Sequence, residues 1–152
     1  MNRFAFLVLM GISFQVFSQS ETERTQFNVE KKLALSGFDP VSYFSNKPLK
    51  GDSRYSAQYL GVVYHFASEQ NKNTFLQNPS RYEPQYGGWC AYAMGLNGQK
   101  VEINPQTYKI IDGKLYLFYN AYFTNTLKSW EKDEKNLKSQ ADKNWSKLIK
   151  TK

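Results

Sequence analysis

One cysteine, Cys90, and one histidine, His65, are the only residues of their kinds in this 152-residue chain, and both belong to side-chain types that hold soft metal ions. Met94 follows Cys90 by four positions, so on a helix the two sulfur atoms share a face. A helix opening at Gly87-Gly88 and running from Trp89 to Met94 puts Cys90 in its first turn, a position that favours the thiolate. Thiolate with thioether suits Cu(I), and an imidazole from His65 extends the set to copper or zinc if the fold brings the segments together. The same three residues have a plainer use, as a small buried apolar side chain, a filler of core gaps and a hydrogen-bonded histidine. Distance separates the two uses. A sulfur and a ring nitrogen more than roughly 7 Å apart cannot share one ion held about 2.0 to 2.3 Å from each.

Asp39 with Tyr64, Tyr82 and Tyr86 forms a second constellation, either an aromatic pocket with a carboxylate anchor or a helix cap beside core tyrosines whose hydroxyls reach backbone carbonyls. The chain contains no G-x-S-x-G, no phosphate-binding glycine loop, no dinucleotide fingerprint and no H-E-x-x-H. A thiol enzyme with Cys90 as nucleophile and His65 as base needs a third orienting group, and none announces itself. A non-enzymatic binding role is therefore expected.

The elements that must position these residues follow from periodicity. Val41 to Phe44 reads as a short helical turn after Asp39-Pro40. Tyr55 to Phe66 alternates as a hairpin about Leu60-Gly61, with Val62, Tyr64 and Phe66 on one face and His65 on the other. Ser68 caps a helix to Gln77, which Pro79 ends, and Phe75 and Leu76 are its expected core contacts. Lys109 to Tyr119 is a hairpin about Asp112-Gly113, and Asn120 is expected to cap the segment after it. Leu127, Trp130, Leu137, Ala141, Trp145 and Leu148 recur at helical spacing, as one long helix or two shorter ones. Two hairpins and several helices make a small α+β domain.

Arg3 followed by the apolar run Phe4 to Phe17 has the form of an export signal, with cleavage expected after Ser18, or alternatively after Ser20. As a helix that run reaches only about 21 Å, short of a hydrocarbon core roughly 30 Å thick, so no transmembrane helix is expected in the processed chain. Residues 19–31 read as a flexible polar lead-in and 32–152 as the domain. A single cysteine cannot form an internal disulfide, and eleven Tyr, eleven Phe and three Trp supply the core instead. The formal charge of +7 is concentrated in the Lys-rich C-terminal segment, which reads as the wet face of an amphipathic helix. Export argues against nucleic acid as the partner. A metal ion or an envelope protein is expected, in a periplasmic or secreted setting, with weak attraction to anionic surfaces.

The string Tyr64-His65-Phe66-x-Ser68, then Phe75, Asn78-Pro79, Tyr82, Pro84 and Tyr86-Gly87-Gly88-x-Cys90-Ala91, preceded by Gly37-x-Asp39-Pro40-Val41, resembles the YHS-domain family. The likeness to its longer exported members continues in Asp112-Gly113-Lys114-Leu115-Tyr116-Leu117, in Trp130-Glu131-Lys132-Asp133 and in Asn144-Trp145, so it spans roughly Leu33 to Leu148. The resemblance implies a metal-binding module of the kind found beside copper-transporting ATPases and metal-dependent oxygenases. The short family forms carry cysteine ligands at three positions where this chain has Ser42, Ala67 and Asn71, so their thiolate site is absent here.

Overall fold

The computed structural model describes residues 24–150; the expected leader, with its cleavage points after Ser18 and Ser20, lies outside them. Strands β1 (Val29–Glu30), β2 (Leu33–Ala34), β3 (Asp52–Tyr59) and β4 (Val62–Phe66) make one sheet in the order β1-β2-β4-β3. Strands β5 (Asn104–Ile111) and β6 (Lys114–Phe118) pair as a hairpin, and β7 (Asn120–Ala121) and β8 (Thr124–Asn125) as a shorter one. The helices are α1 (Glu69–Gln77), α2 (Pro79–Tyr82), α3 (Ala91–Asn97), α4 (Thr126–Trp130) and α5 (Glu134–Lys150). The expected α+β class holds.

Strand alternation divides the interior in two. Val62, Tyr64 and Phe66 of β4 turn inward with Phe75 of α1, and they meet Leu115 and Leu117 of β6 in one core. The intervening residues of β6, Tyr116 and Phe118, face the other way and pack with Tyr86, Met94, Trp130 and Ala141 in a second core under α3, α4 and α5. Helices α3 and α5 approach so closely that a Cβ on Gly95 would stand 2.5 Å from the carbonyl oxygen of Leu137. The Asn144 side-chain amide donates to the Met94 carbonyl at 2.8 Å and fastens the same pair of helices.

Several local expectations hold in detail. The Ser68 hydroxyl caps α1 by accepting from the Asn71 N–H at 3.1 Å. Leu60-Gly61 and Asp112-Gly113 turn their hairpins at positive φ. Others are corrected. Residues 24–31 are built into the fold rather than forming a flexible lead-in: β1 pairs with β2, and the Trp89 indole N–H donates to the Gln26 carbonyl at 2.6 Å. Leu76 lies exposed on the outer side of α1, leaving Phe75 as the core contact. The helix expected from Trp89 begins at Ala91, with Cys90 at its N-cap. Asn120 belongs to β7, and the cap of α4 is Asn125, whose side chain accepts from the Leu127 N–H at 3.0 Å.

Candidate functional site

The Cys90 side chain is fully buried. Its Sγ accepts from the backbone N–H of Tyr119 at 3.4 Å and lies 3.4 Å from the Thr126 hydroxyl. That hydroxyl spends its only proton on the Tyr119 carbonyl, 2.9 Å away. It can therefore only accept from Cys90, and the sulfur donates through its S–H. Both polar capacities of the thiol are taken up by a knot joining the end of β6, the start of α4 and the N-cap of α3.

His65 and Cys90 do not meet. His65 projects from the outer face of β4, where a Cβ on Gly51 would stand 2.6 Å from the His65 Cβ, and one on Gly37 3.7 Å from its Nδ1. The Cys90 sulfur instead faces Tyr119 and Thr126, and the two side chains share none of these neighbours. Met94 lies one turn into α3 from the N-cap Cys90, and its side chain is sealed in the second core. Among the described residues no group of three or more His, Cys, Asp or Glu side chains is arranged to hold a metal ion. The expected copper or zinc donors Cys90, His65 and Met94 have the neighbours described above and gain no further His, Cys, Asp or Glu cluster among the described residues.

The positions where short family members carry thiolates do converge, around Asp39. Its fully buried carboxylate accepts from the N–H of Val41 at 2.8 Å and of Ser42 at 3.3 Å on Oδ1. On Oδ2 it accepts from the N–H of Ala67 at 2.9 Å and the side-chain amide of Asn71 at 2.6 Å. Four donors occupy four acceptor positions. The Ser42 hydroxyl, which donates to the Asp39 carbonyl at 2.7 Å, accepts from the Leu49 N–H at 2.9 Å. Ser42, Ala67 and Asn71 here supply hydrogen bonds to a carboxylate, a chemistry that does not fit a soft cation. Asp39 fastens the entry to the Ser42–Ser45 helical turn from just outside it, because the N-cap position there belongs to Val41.

Of the expected pocket tyrosines, only Tyr86 reaches a cleft. Tyr82 is half-buried against the first core, edge-on to Phe44 at 5.1 Å between ring centroids. Tyr64 is fully buried, and its hydroxyl donates to Glu83 Oε1 at 2.5 Å. Arg24 completes that group: its guanidinium pairs with both Glu83 oxygens, one at 2.7 Å, and lies over the rings of Phe27 at 5.0 Å and Tyr59 at 4.8 Å. Burial disfavours the Arg24 charge, but the hydrogen bond and attraction from Glu83 outweigh it and raise its pKa. Burial, then Glu83, pushes the Tyr64 hydroxyl far above the usual range.

Beside this group opens a cleft of about 390 Å³ lined by Arg24, Phe27, Tyr86, Asp142 and Trp145 among others. The Tyr86 hydroxyl donates to Asp142 at 2.9 Å, and burial followed by that bond raises its pKa. Tyr86, Gly87 and Gly88 all have positive φ, and a Cβ on Gly87 would stand 2.8 Å from Phe27 and 2.9 Å from Trp145. The glycine lets the backbone carbonyl of Gly87 accept from the Asn28 N–H at 2.8 Å. The polar groups that line the cleft are largely engaged with one another, which makes it chiefly the seam that closes residues 24–28 onto the domain. Sequence reading missed Arg24 and Glu83, which stand 59 positions apart; the only signal was the Tyr86-Gly87-Gly88 run opposite them.

The least explained surface is the β7–β8 turn. Tyr122 and Phe123 are 89% and 112% exposed, and both have positive φ, 48° and 65°. A two-residue hairpin turn of this kind normally uses Asn-Gly or Asp-Gly, and bulky residues are strained there. Lys31-Lys32 forms another such turn without glycine, but only Tyr122-Phe123 presents two aromatic rings to solvent. No polar or catalytic partner accompanies them. Chemically this surface offers aromatic contact and one phenolic hydroxyl, that of Tyr122.

A family model described as YHS domain matches residues 41–86, less than half of the chain. The match takes in β3, β4, α1, α2 and the residues around the Asp39 hub, and it stops before Cys90. Comparison with curated proteins finds no match, and comparison with solved structures finds none. Over residues 41–86, which supply much of its first core, the chain is similar to the YHS-domain family.

Proposed function

We propose that this chain is an exported, non-catalytic YHS-domain protein that works as an interaction module of the cell envelope and makes its contact through the β7–β8 tip. The observation that carries this reading is the full exposure of Tyr122 and Phe123 at positive φ. Strain and solvent exposure of two rings both cost free energy in the isolated molecule, and such features persist where something outside the fold uses them. The soft-metal reading has less support, because the Cys90 thiol is hydrogen-bonded to Tyr119 and Thr126, Met94 is sealed in the second core and His65 faces Gly37 and Gly51.

Replacement of the tip by a favourable turn tests the reading. The double variant Tyr122→Asn, Phe123→Gly removes both strain and rings, and it is expected to raise stability by about 1 to 3 kcal/mol while releasing the protein from envelope fractions. A photo-reactive side chain at position 123 is expected to cross-link to an envelope component in cells. A more stable variant that fractionates and functions like the parent would overturn the reading.

A further inference from the structure

We propose that the partner of the β7–β8 tip is the interfacial layer of a lipid bilayer, in particular one bearing anionic headgroups; this rests on the interaction-module reading above. Three features of the tip point to lipid in preference to a protein groove. The first is reach. Each arm contributes two paired residues, Asn120 opposite Asn125 and Ala121 opposite Thr124, so the turn stands roughly 7 to 10 Å beyond the hairpin base. That projection matches the depth of about 5 to 10 Å to which apolar side chains enter the boundary between headgroups and acyl chains.

The second is area. Two aromatic rings offer about 300 to 500 Å² for burial, a small face beside the roughly 800 Å² per partner of a standard protein interface. Their immediate shoulders are neutral and polar: Asn120, Thr124 and Asn125. An aromatic tip on an uncharged polar collar suits the membrane interface, where amphipathic rings gather at headgroup level.

The third is charge. No Asp or Glu occurs between Asp112 and Glu131, and the exposed charge next after the tip is Lys128. With a formal charge of +7 on the whole chain, one unit of it from Arg3 in the expected leader, approach to an anionic surface meets attraction and no carboxylate in the adjoining sequence. The rings supply the anchorage and the lysines the bias toward anionic lipid.

The test uses the chain beginning at Gln19, which keeps every residue from 24 to 150, and sedimentation with two vesicle preparations, phosphatidylcholine alone and phosphatidylcholine mixed with phosphatidylglycerol. The parent is expected to bind both, more tightly the anionic vesicles, with that excess removed by salt. The double variant Tyr122→Asn, Phe123→Gly is expected to bind at least about tenfold more weakly to each, with its circular dichroism and melting curve confirming the fold. A parent that stays in solution with both preparations, or a folded double variant that binds as well as the parent, overturns the lipid assignment. If bare vesicles fail while position 123 still cross-links to an envelope protein in cells, lipid is excluded as the partner and the interaction-module reading stands; if both fail, neither survives.

Discussion

The Thr126 hydroxyl donates to the carbonyl oxygen of Tyr119 at 2.9 Å, and so it can only accept from the Cys90 thiol. Thr126→Val removes the acceptor of the S–H and the donor to the carbonyl together. It is expected to cost about 1 to 3 kcal/mol, measured by denaturant unfolding. Cys90 in the parent should react with a thiol reagent only at the rate of opening, and the variant should react faster. Fast labelling of the folded parent would contradict the sealed thiol. On the same grounds, Cys90→Ala should leave uptake of Cu(I) and Zn(II) unchanged.

Asp39 ties the turn at Val41 and Ser42 to the end of β4 and the start of α1. Asp39→Ala leaves the N–H groups of Val41 and Ala67 and the Asn71 amide without their carboxylate acceptor, while the Ser42 N–H keeps the Asp39 backbone carbonyl at 3.2 Å, and the expected loss is about 2 to 4 kcal/mol. Asp39→Asn places an amide NH₂ against two of those donors and recovers only part of it. A loss below about 1 kcal/mol for Asp39→Ala, in the range of a surface change, would show that the hub is dispensable.

Glu83 stands between a cation and a phenol, so its two partners should respond unequally to substitution. Glu83→Gln leaves the Arg24 guanidinium without its counter-charge. The expected cost is about 2 to 3 kcal/mol, below that of a fully buried pair because Arg24 still meets water at one edge. Tyr64→Phe keeps the ion pair and removes one hydrogen bond, at about 1 kcal/mol. Equal costs in thermal unfolding would argue that charge compensation is not what holds residues 24–28 in place.

Burial pushes the hydroxyls of Tyr43, Tyr64 and Tyr86 above the ordinary value of 10.0 and that of Tyr116 up to about 12. The folded chain thus holds these protons more tightly than the unfolded chain does. Their contribution to stability is complete below about pH 10 and falls as pH rises beyond it, because the unfolded state ionises first. Tyrosinate absorbance should rise in two stages, exposed rings first and the buried set together with loss of the circular dichroism signal. Ionisation of all eleven tyrosines in a chain that stays folded would contradict this.

Local chemistry was the legible part of the fold. Leu60-Gly61 and Asp112-Gly113 turn where a glycine sits between alternating strands, and Ser68 caps α1 within its own first turn. The Lys31-Lys32 and Tyr122-Phe123 turns left no such mark, because their positive φ falls on residues that ordinarily avoid it. The Arg24–Glu83 pair was hidden by sequence distance and by the usual tendency of charges to lie outside. Asp39 could be read as a cap from its neighbours Val41 and Ser42, but its reach to Ala67 and Asn71 depends on how α1 docks. Pairing His65 with Cys90 assumed that nearness to shared motifs means nearness in space. His65 alternates to the side of β4 that faces Gly37 and Gly51, while the Cys90 sulfur turns to Tyr119 and Thr126.

Strand β6 has no solvent-facing side over most of its length, since Leu115 and Leu117 feed one interior while Tyr116 and Phe118 feed the other. Neither half of the molecule owns this strand, and neither can shed it and remain shut. Deuterium should reach the amides of residues 115–118 last of all, at a rate set by complete unfolding, and a defect introduced beneath α5 should be felt as far away as the packing of Phe75.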